Sequence, residues 1–89
     1  MYQLFKNATA NGQSGTVKTY RERHTVFAWG TWGGATAKLQ ISPNGIDWFD
    51  LTGASFTANG SATFEIATDV YLRADIAGGT GADLSVAVR

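Results

Sequence analysis

The chain is 89 residues long, room for one small domain spanning 1–89 and not for two. Seven Lys/Arg balance seven Asp/Glu for a net charge of zero, and only 16% of residues are charged, which argues against a dedicated nucleic-acid or anionic-membrane binder because such proteins rely on excess cations. A hydrophobic fraction of 44% excludes a disordered chain, and the absence of Cys excludes disulfides, thiolate metal sites and Cys nucleophiles together.

Taken in chain order, the sequence reads as short strands separated by turns. Residues 2–6 form a first short apolar run, followed by Asn11-Gly12. Residues 16–29 carry no strong turn signal, so they predict either one long strand or two joined by a bend near Arg21 to Arg23. A Gly-rich break follows at residues 30–34. Ala37, Leu39 and Ile41 then alternate with Thr36, Lys38, Gln40 and Ser42, the period-two pattern of a strand with one buried face. Pro43 precedes Asn44-Gly45, and a short run at 46–51 comes next. Asn59-Gly60 introduces another at 62–66. Val70, Leu72, Ala74 and Ile76 repeat the alternation. After the turn at Gly78-Gly-Thr-Gly81, Leu84, Val86 and Val88 repeat it again.

The three Asn-Gly pairs predict hairpin turns, because both residues accept the positive φ that tight turns between twisted strands require. No stretch combines helical periodicity with capping residues, and nowhere do ~18 consecutive apolar residues occur to cross a bilayer as a helix. The N-terminus lacks the basic and apolar regions of a signal peptide, so a soluble protein is expected. The expected fold is all-β: about seven or eight short strands joined by Asn-Gly hairpins into a two-sheet antiparallel sandwich of jelly-roll type. A small closed barrel is the alternative.

Chemistry-bearing residues are sparse. His24 is the only histidine, there is no Gly-x-Ser-x-Gly elbow, and His24 reads as a solvated strand residue between charged neighbours. The carboxylates are scattered, with no calcium-loop spacing and no pair that the spacing forces together. Gly78-Gly-Thr-Gly81 lacks the Lys-Ser/Thr of a phosphate loop. No catalytic, cofactor-binding or metal residue is therefore expected, and no cofactor. The aromatics are more informative. Trp48, just after the Asn44-Gly45 turn, suits a structural anchor at the sandwich edge. Trp29 and Trp32 flank the Gly-rich break, where an exposed Trp32 is expected, and with Tyr71 they are the candidate partner contacts, able to stack on a sugar ring or anchor a protein interface.

Across Gly30-Thr-Trp-Gly-Gly-Ala-Thr36, Leu39-Gln40, Ser42-Pro-Asn-Gly45 and Trp48 the sequence resembles small proteins encoded by tailed bacteriophages and prophages. The likeness continues through Phe56-Thr-Ala-Asn-Gly60, Tyr71-Leu-Arg-Ala-Asp75 and Gly78-Gly-Thr-Gly81, and the first thirty residues lie outside it. The resemblance implies a non-enzymatic virion structural protein, of head-decoration, head-fibre or tail type, made in the bacterial host cytoplasm and incorporated in the virion. Expected partners are further copies of itself, as a homo-oligomer such as a trimer, and capsid or tail proteins. The Ser-x-Asn-Gly-x-x-Trp segment also looks like hairpins of carbohydrate-binding β-sandwiches, so the alternative is a small sugar-binding module using exposed aromatics, and host-surface glycan is a further expected partner. Neither nucleic acid nor membrane is expected as a partner.

Overall fold

A computed structural model describes residues 2–19, 22–66 and 68–89. Its strands are β1 (Tyr2–Ala8), β2 (Gly12–Gln13), β3 (Val17–Thr19), β4 (Glu22–Thr31), β5 (Thr36–Ser42), β6 (Phe49–Phe56), β7 (Gly60–Ile66), β8 (Val70–Ala77) and β9 (Asp83–Val88). All pairings are antiparallel. One sheet has the order β1-β9-β4-β7, and the other runs β2-β8-β5-β6 with β3 also on β8. Among the described residues there is no helix.

β2 and β3 are two halves of one edge strand. Between them the Ser14 amide donates to the Ala74 carbonyl at 2.8 Å, and the Ser14 hydroxyl accepts from the Ala74 amide at 2.8 Å, so the ladder on β8 is bridged by a side chain. Counted that way, each sheet has four strands, and the order is that of a jelly roll: successive strands alternate between sheets except at one hairpin, β5–β6. The sandwich reading of the sequence holds.

The hairpin reading holds for one Asn-Gly pair of three. Asn44-Gly45 joins the paired strands β5 and β6, through a loop from Pro43 to Trp48. Asn11-Gly12 and Asn59-Gly60 instead carry the chain from one sheet to the other. Turn chemistry reverses the chain over four residues, but whether the returning strand pairs with its predecessor or crosses the core depends on where its apolar face can be buried. The 46–51 run likewise starts later than expected. Asn44 Oδ1 accepts from the Ile46 and Asp47 amides at 2.8 and 2.9 Å, which holds these residues in the turn until β6 begins at Phe49. For 16–29 the two-strand alternative is correct: β3 and β4 lie in different sheets. The link at 20–21, which includes Arg21 of the expected bend, lies outside the described residues.

Alternation places the core. Val26 and Ala28 of β4, Ala37 and Leu39 of β5, Leu72, Ala74 and Ile76 of β8, and Leu84, Val86 and Val88 of β9 are all buried between the sheets. Full burial of each Leu or Ile removes enough apolar surface to contribute about 1.5–3 kcal/mol. One end of the sandwich closes where residues 30–34 meet 78–81. Gly33 O accepts from Thr80 N at 3.0 Å, and a Cβ on Gly33 would collide with the Thr80 carbonyl. Gly30, at φ +134°, meets the Asp83 carbonyl in the same way. Here glycine is required by backbone-to-backbone approach as well as by φ.

Candidate functional site

The same alternation that fills the core presents two outer faces, and they differ in chemistry. On the β1-β9-β4-β7 sheet, Thr25, Phe27 and Trp29 of β4 point away from Val26 and Ala28. Phe27 remains 38% and Trp29 43% exposed. Their cross-strand neighbours are small: Phe27 lies between Ala87 of β9 and Ser61 of β7, and Trp29 is opposite Ser85. Ala87 and Ser85 are themselves buried, because β9 is an interior strand with β1 on its other side. Ser85 Oγ accepts from the Asn7 amide at 3.0 Å. Two large rings thus stand, two residues apart on one strand, above a floor of small side chains.

The outer face of the β8-β5-β6 sheet is polar and tied together. The Arg73 guanidinium lies over the Trp48 ring, 4.3 Å from its centroid, and Arg73 Nε donates to Gln40 Oε1 at 2.8 Å. Gln40 Nε2 donates to Asp50 Oδ1 at 2.9 Å, and Lys38 Nζ meets Asp50 Oδ2 at 3.2 Å. The hydrogen bond from Gln40, then that from Lys38, holds the Asp50 carboxyl below its ordinary value. On β2, Gln13 Nε2 donates to Asp75 Oδ1 at 2.8 Å. Arg73–Gln40, Gln40–Asp50 and Gln13–Asp75 are pairs directly across the ladder, and Lys38 reaches Asp50 diagonally across the register shift of β6.

The three residues singled out as partner contacts fall in three places. Trp29 is on the aromatic outer face. Tyr71 is half-buried on the opposite, polar face, with Lys18 Nζ 5.9 Å from its ring centroid. Trp32 is not the exposed ring expected of it: it is half-buried, packs against the core cluster, and its Nε1 donates to Asn59 Oδ1 at 2.9 Å. The same oxygen accepts from the Gly30 amide at 2.9 Å. Trp32 is therefore an anchor that ties the 30–34 loop to the β6–β7 crossing. Trp48, expected as an anchor at the sandwich edge, immediately precedes the edge strand β6 and is half-buried with the Arg73 guanidinium over its ring.

His24 corrects a second expectation. It shares the inward parity of Val26 and Ala28, is only 5% exposed, and its ring sits 5.8 Å from that of Phe64. Neither ring nitrogen has a hydrogen-bond partner among the described residues. The charged residues before it in sequence suggested solvent, but the pleat sends Arg23 outward and His24 inward. Among the described residues no cleft opens beside it, and no three His, Cys, Asp or Glu side chains gather to hold a metal ion.

Sequence reasoning missed Phe27, and also Ile46 and Phe49, which are 78% and 59% exposed at the β5–β6 hairpin. The signal for Phe27 was its spacing of two from Trp29. In Val26-Phe-Ala-Trp29 both faces are apolar, so the pattern does not say which face is buried, and the structure buries the smaller pair. No protein-family model matches the chain, and no curated protein matches it.

Proposed function

We propose that this chain is a non-enzymatic structural protein of a tailed-bacteriophage virion that docks on capsid or tail proteins and self-associates. The observation that carries the docking role is the pair Phe27 and Trp29, exposed side by side on a sheet face floored by Ala87, Ser85 and Ser61. Large rings raised above small neighbours are what a partner's pocket can enclose, and aromatic anchors of this kind dominate protein interfaces. The resemblance of residues 30–81 to phage-encoded proteins supports the virion setting.

The test is retention by purified particles of the phage that encodes the chain. The protein is expected in those particles, and Phe27→Ser with Trp29→Ser is expected to abolish its rebinding to particles stripped of it while leaving the fold intact by circular dichroism. Absence from the particles ends the reading.

Sugar binding is the second reading, supported by Trp29 alone. A ring exposed on a sheet face can stack on a pyranose, whereas Tyr71 and Trp48 lie on the other face and Trp32 is packed inside. Quenching of Trp fluorescence by a member of a glycan panel, lost in Trp29→Ser, would favour it over docking on protein.

A further inference from the structure

An antiparallel sandwich presents edge strands, and three of the edges here carry a device that discourages further pairing. β1 is interrupted by register shifts between Gln3 and Phe5 and between Phe5 and Ala8, with Asn7 at φ +52°. β6 breaks register opposite Lys38 to Gln40, and Gly53 within it is at φ +86°. The β2–β3 edge is split in two. The fourth edge, β7, has none of these. It pairs with β4 in unbroken register from Glu22↔Ile66 to Ala28↔Gly60, and it contains no proline, no positive-φ residue and neither Lys nor Arg.

The direction of its free backbone groups follows from β4. Thr25 N donates to Arg89 O and Arg89 N donates to Thr25 O, both at 2.9 Å, so Thr25 directs its backbone groups toward the β9 side. Backbone direction alternates along a strand. His24, Val26 and Ala28 therefore face β7 and bond Phe64, Ala62 and Gly60, their partners in register. The amides and carbonyls of Ser61, Thr63 and Glu65 point away from the sheet.

We infer that β7 is a self-pairing edge, and that two copies of this chain join β7 to β7 antiparallel about a two-fold axis at Thr63. That register alone uses all three outward-facing residues: Ser61 pairs with Glu65 of the second copy, Thr63 with its own counterpart, and Glu65 with Ser61. Each is a hydrogen-bonded pair exchanging two backbone bonds. On the inner face the half-buried Phe64 comes opposite the half-buried Ala62 of the other copy, large against small, and removes both from water. On the outer face Glu65 meets Ser61, so no like charges oppose each other. An interface in which each residue's partner is its symmetry mate's complement is the condition for a closed dimer. The joined sheet is continuous through both copies, with Phe27 and Trp29 of each on the same outer face. The inference builds on the reading of the chain as a self-associating docking protein and names the edge that does it.

The experiment is the native mass of the full chain by light scattering across a concentration series, with Thr63→Lys and Thr63→Pro. The wild type should rise from 9.5 kDa to a plateau at twice that mass. Thr63→Lys sets two cations opposite each other in place of two threonines and should weaken the dimer by about three- to tenfold. Thr63→Pro removes an outward amide without taking a bond from β4, and if it fails to fold Thr63→Lys keeps the test. Amides of Ser61, Thr63 and Glu65 should gain exchange protection as concentration rises. A wild type that stays monomeric, a plateau at a trimer or larger, or a dimer indifferent to the Thr63 variants overturns the inference. A dimer lost in Phe27→Ser with Trp29→Ser but kept in Thr63→Lys also overturns it, by placing the contact on the aromatic face. Particle retention of Thr63→Lys reads docking separately, so loss of one activity is distinguishable from loss of the other.

Discussion

The two outer faces of this sandwich are built on the same pleat and come out opposite in character. On the β8-β5-β6 face, Trp48 is covered by Arg73, and Arg73, Gln40, Asp50 and Lys38 form a chain of contacts that satisfies each polar head. On the β1-β9-β4-β7 face, Phe27 and Trp29 rise above Ala87, Ser85 and Ser61. Aromatic content alone does not make a surface available. What matters is whether neighbouring strands supply side chains long enough to cover the ring. A long side chain from a neighbouring strand, as Arg73 over Trp48, makes a tryptophan part of the fold, and short neighbours leave it for a partner.

That contrast predicts which substitutions cost stability and which cost only contact. The largest effect should come from the core both faces share. Leu72→Ala, at a fully buried position of β8, is expected to lower unfolding free energy by about 3 kcal/mol in urea titrations, taking both faces with it. His24→Leu goes the other way. Replacing a buried ring whose nitrogens find no partner among the described residues with an apolar side chain should raise stability by about 1 kcal/mol, read as a higher melting temperature.

Arg73→Ala and Trp29→Ser put the comparison itself at risk. Arg73→Ala removes the cover from Trp48 and a hydrogen bond to Gln40, so a loss of about 1 kcal/mol is expected, with particle docking unchanged. Trp29→Ser, which removes a ring 43% exposed, should cost no more than about 1 kcal/mol while weakening docking. The reverse pattern would mean the roles of the two faces are exchanged.

The smallest effect is a pH dependence. Asp50 is held below its ordinary value by Gln40 and Lys38, so the folded state binds its proton less readily than the unfolded chain. Its contribution is present above the ordinary carboxylate range and fades as pH falls through and below it. In Asp50→Asn the acid limb of the urea midpoint should flatten slightly. An unchanged limb would show that the Lys38–Asp50–Gln40 contacts do not hold in solution.

Much of the fold was legible without the structure because one simple rule generated it. Period-two alternation in residues 36–42, 70–77 and 83–88 named inward residues that are buried, among them Leu39, Leu72, Leu84 and Val88, but it breaks at the end of β5, where Ile41 is half-buried and Ser42 fully buried. The candidate contacts were less legible. Trp29 is exposed, but Trp32 is anchored by Asn59, a residue 27 positions away in sequence. Nothing local to Trp32 carries that information. His24 could have been placed inside by continuing the parity of Val26 and Ala28, and its charged neighbours in sequence obscured that signal.

Local pattern was enough to show that the chain is built of short antiparallel strands, to bound β5, β8 and β9 to within a residue or two, and to say which side of most strands is apolar, whereas β2 went unread and β6 runs five residues past the expected 46–51. These properties follow from interactions within a few residues: the pleat, the preference of Asn and Gly for turns, and the absence of a helical stripe. The packing of the two sheets is what sends the chain across the core at Asn11-Gly12 and Asn59-Gly60 and folds it back on the same sheet at Asn44-Gly45. The same packing sets which tryptophan is covered and which edge is left straight. Each of these depends on what another strand, distant in sequence, places opposite, and cross-strand neighbours exist only once both sheets have closed on one core.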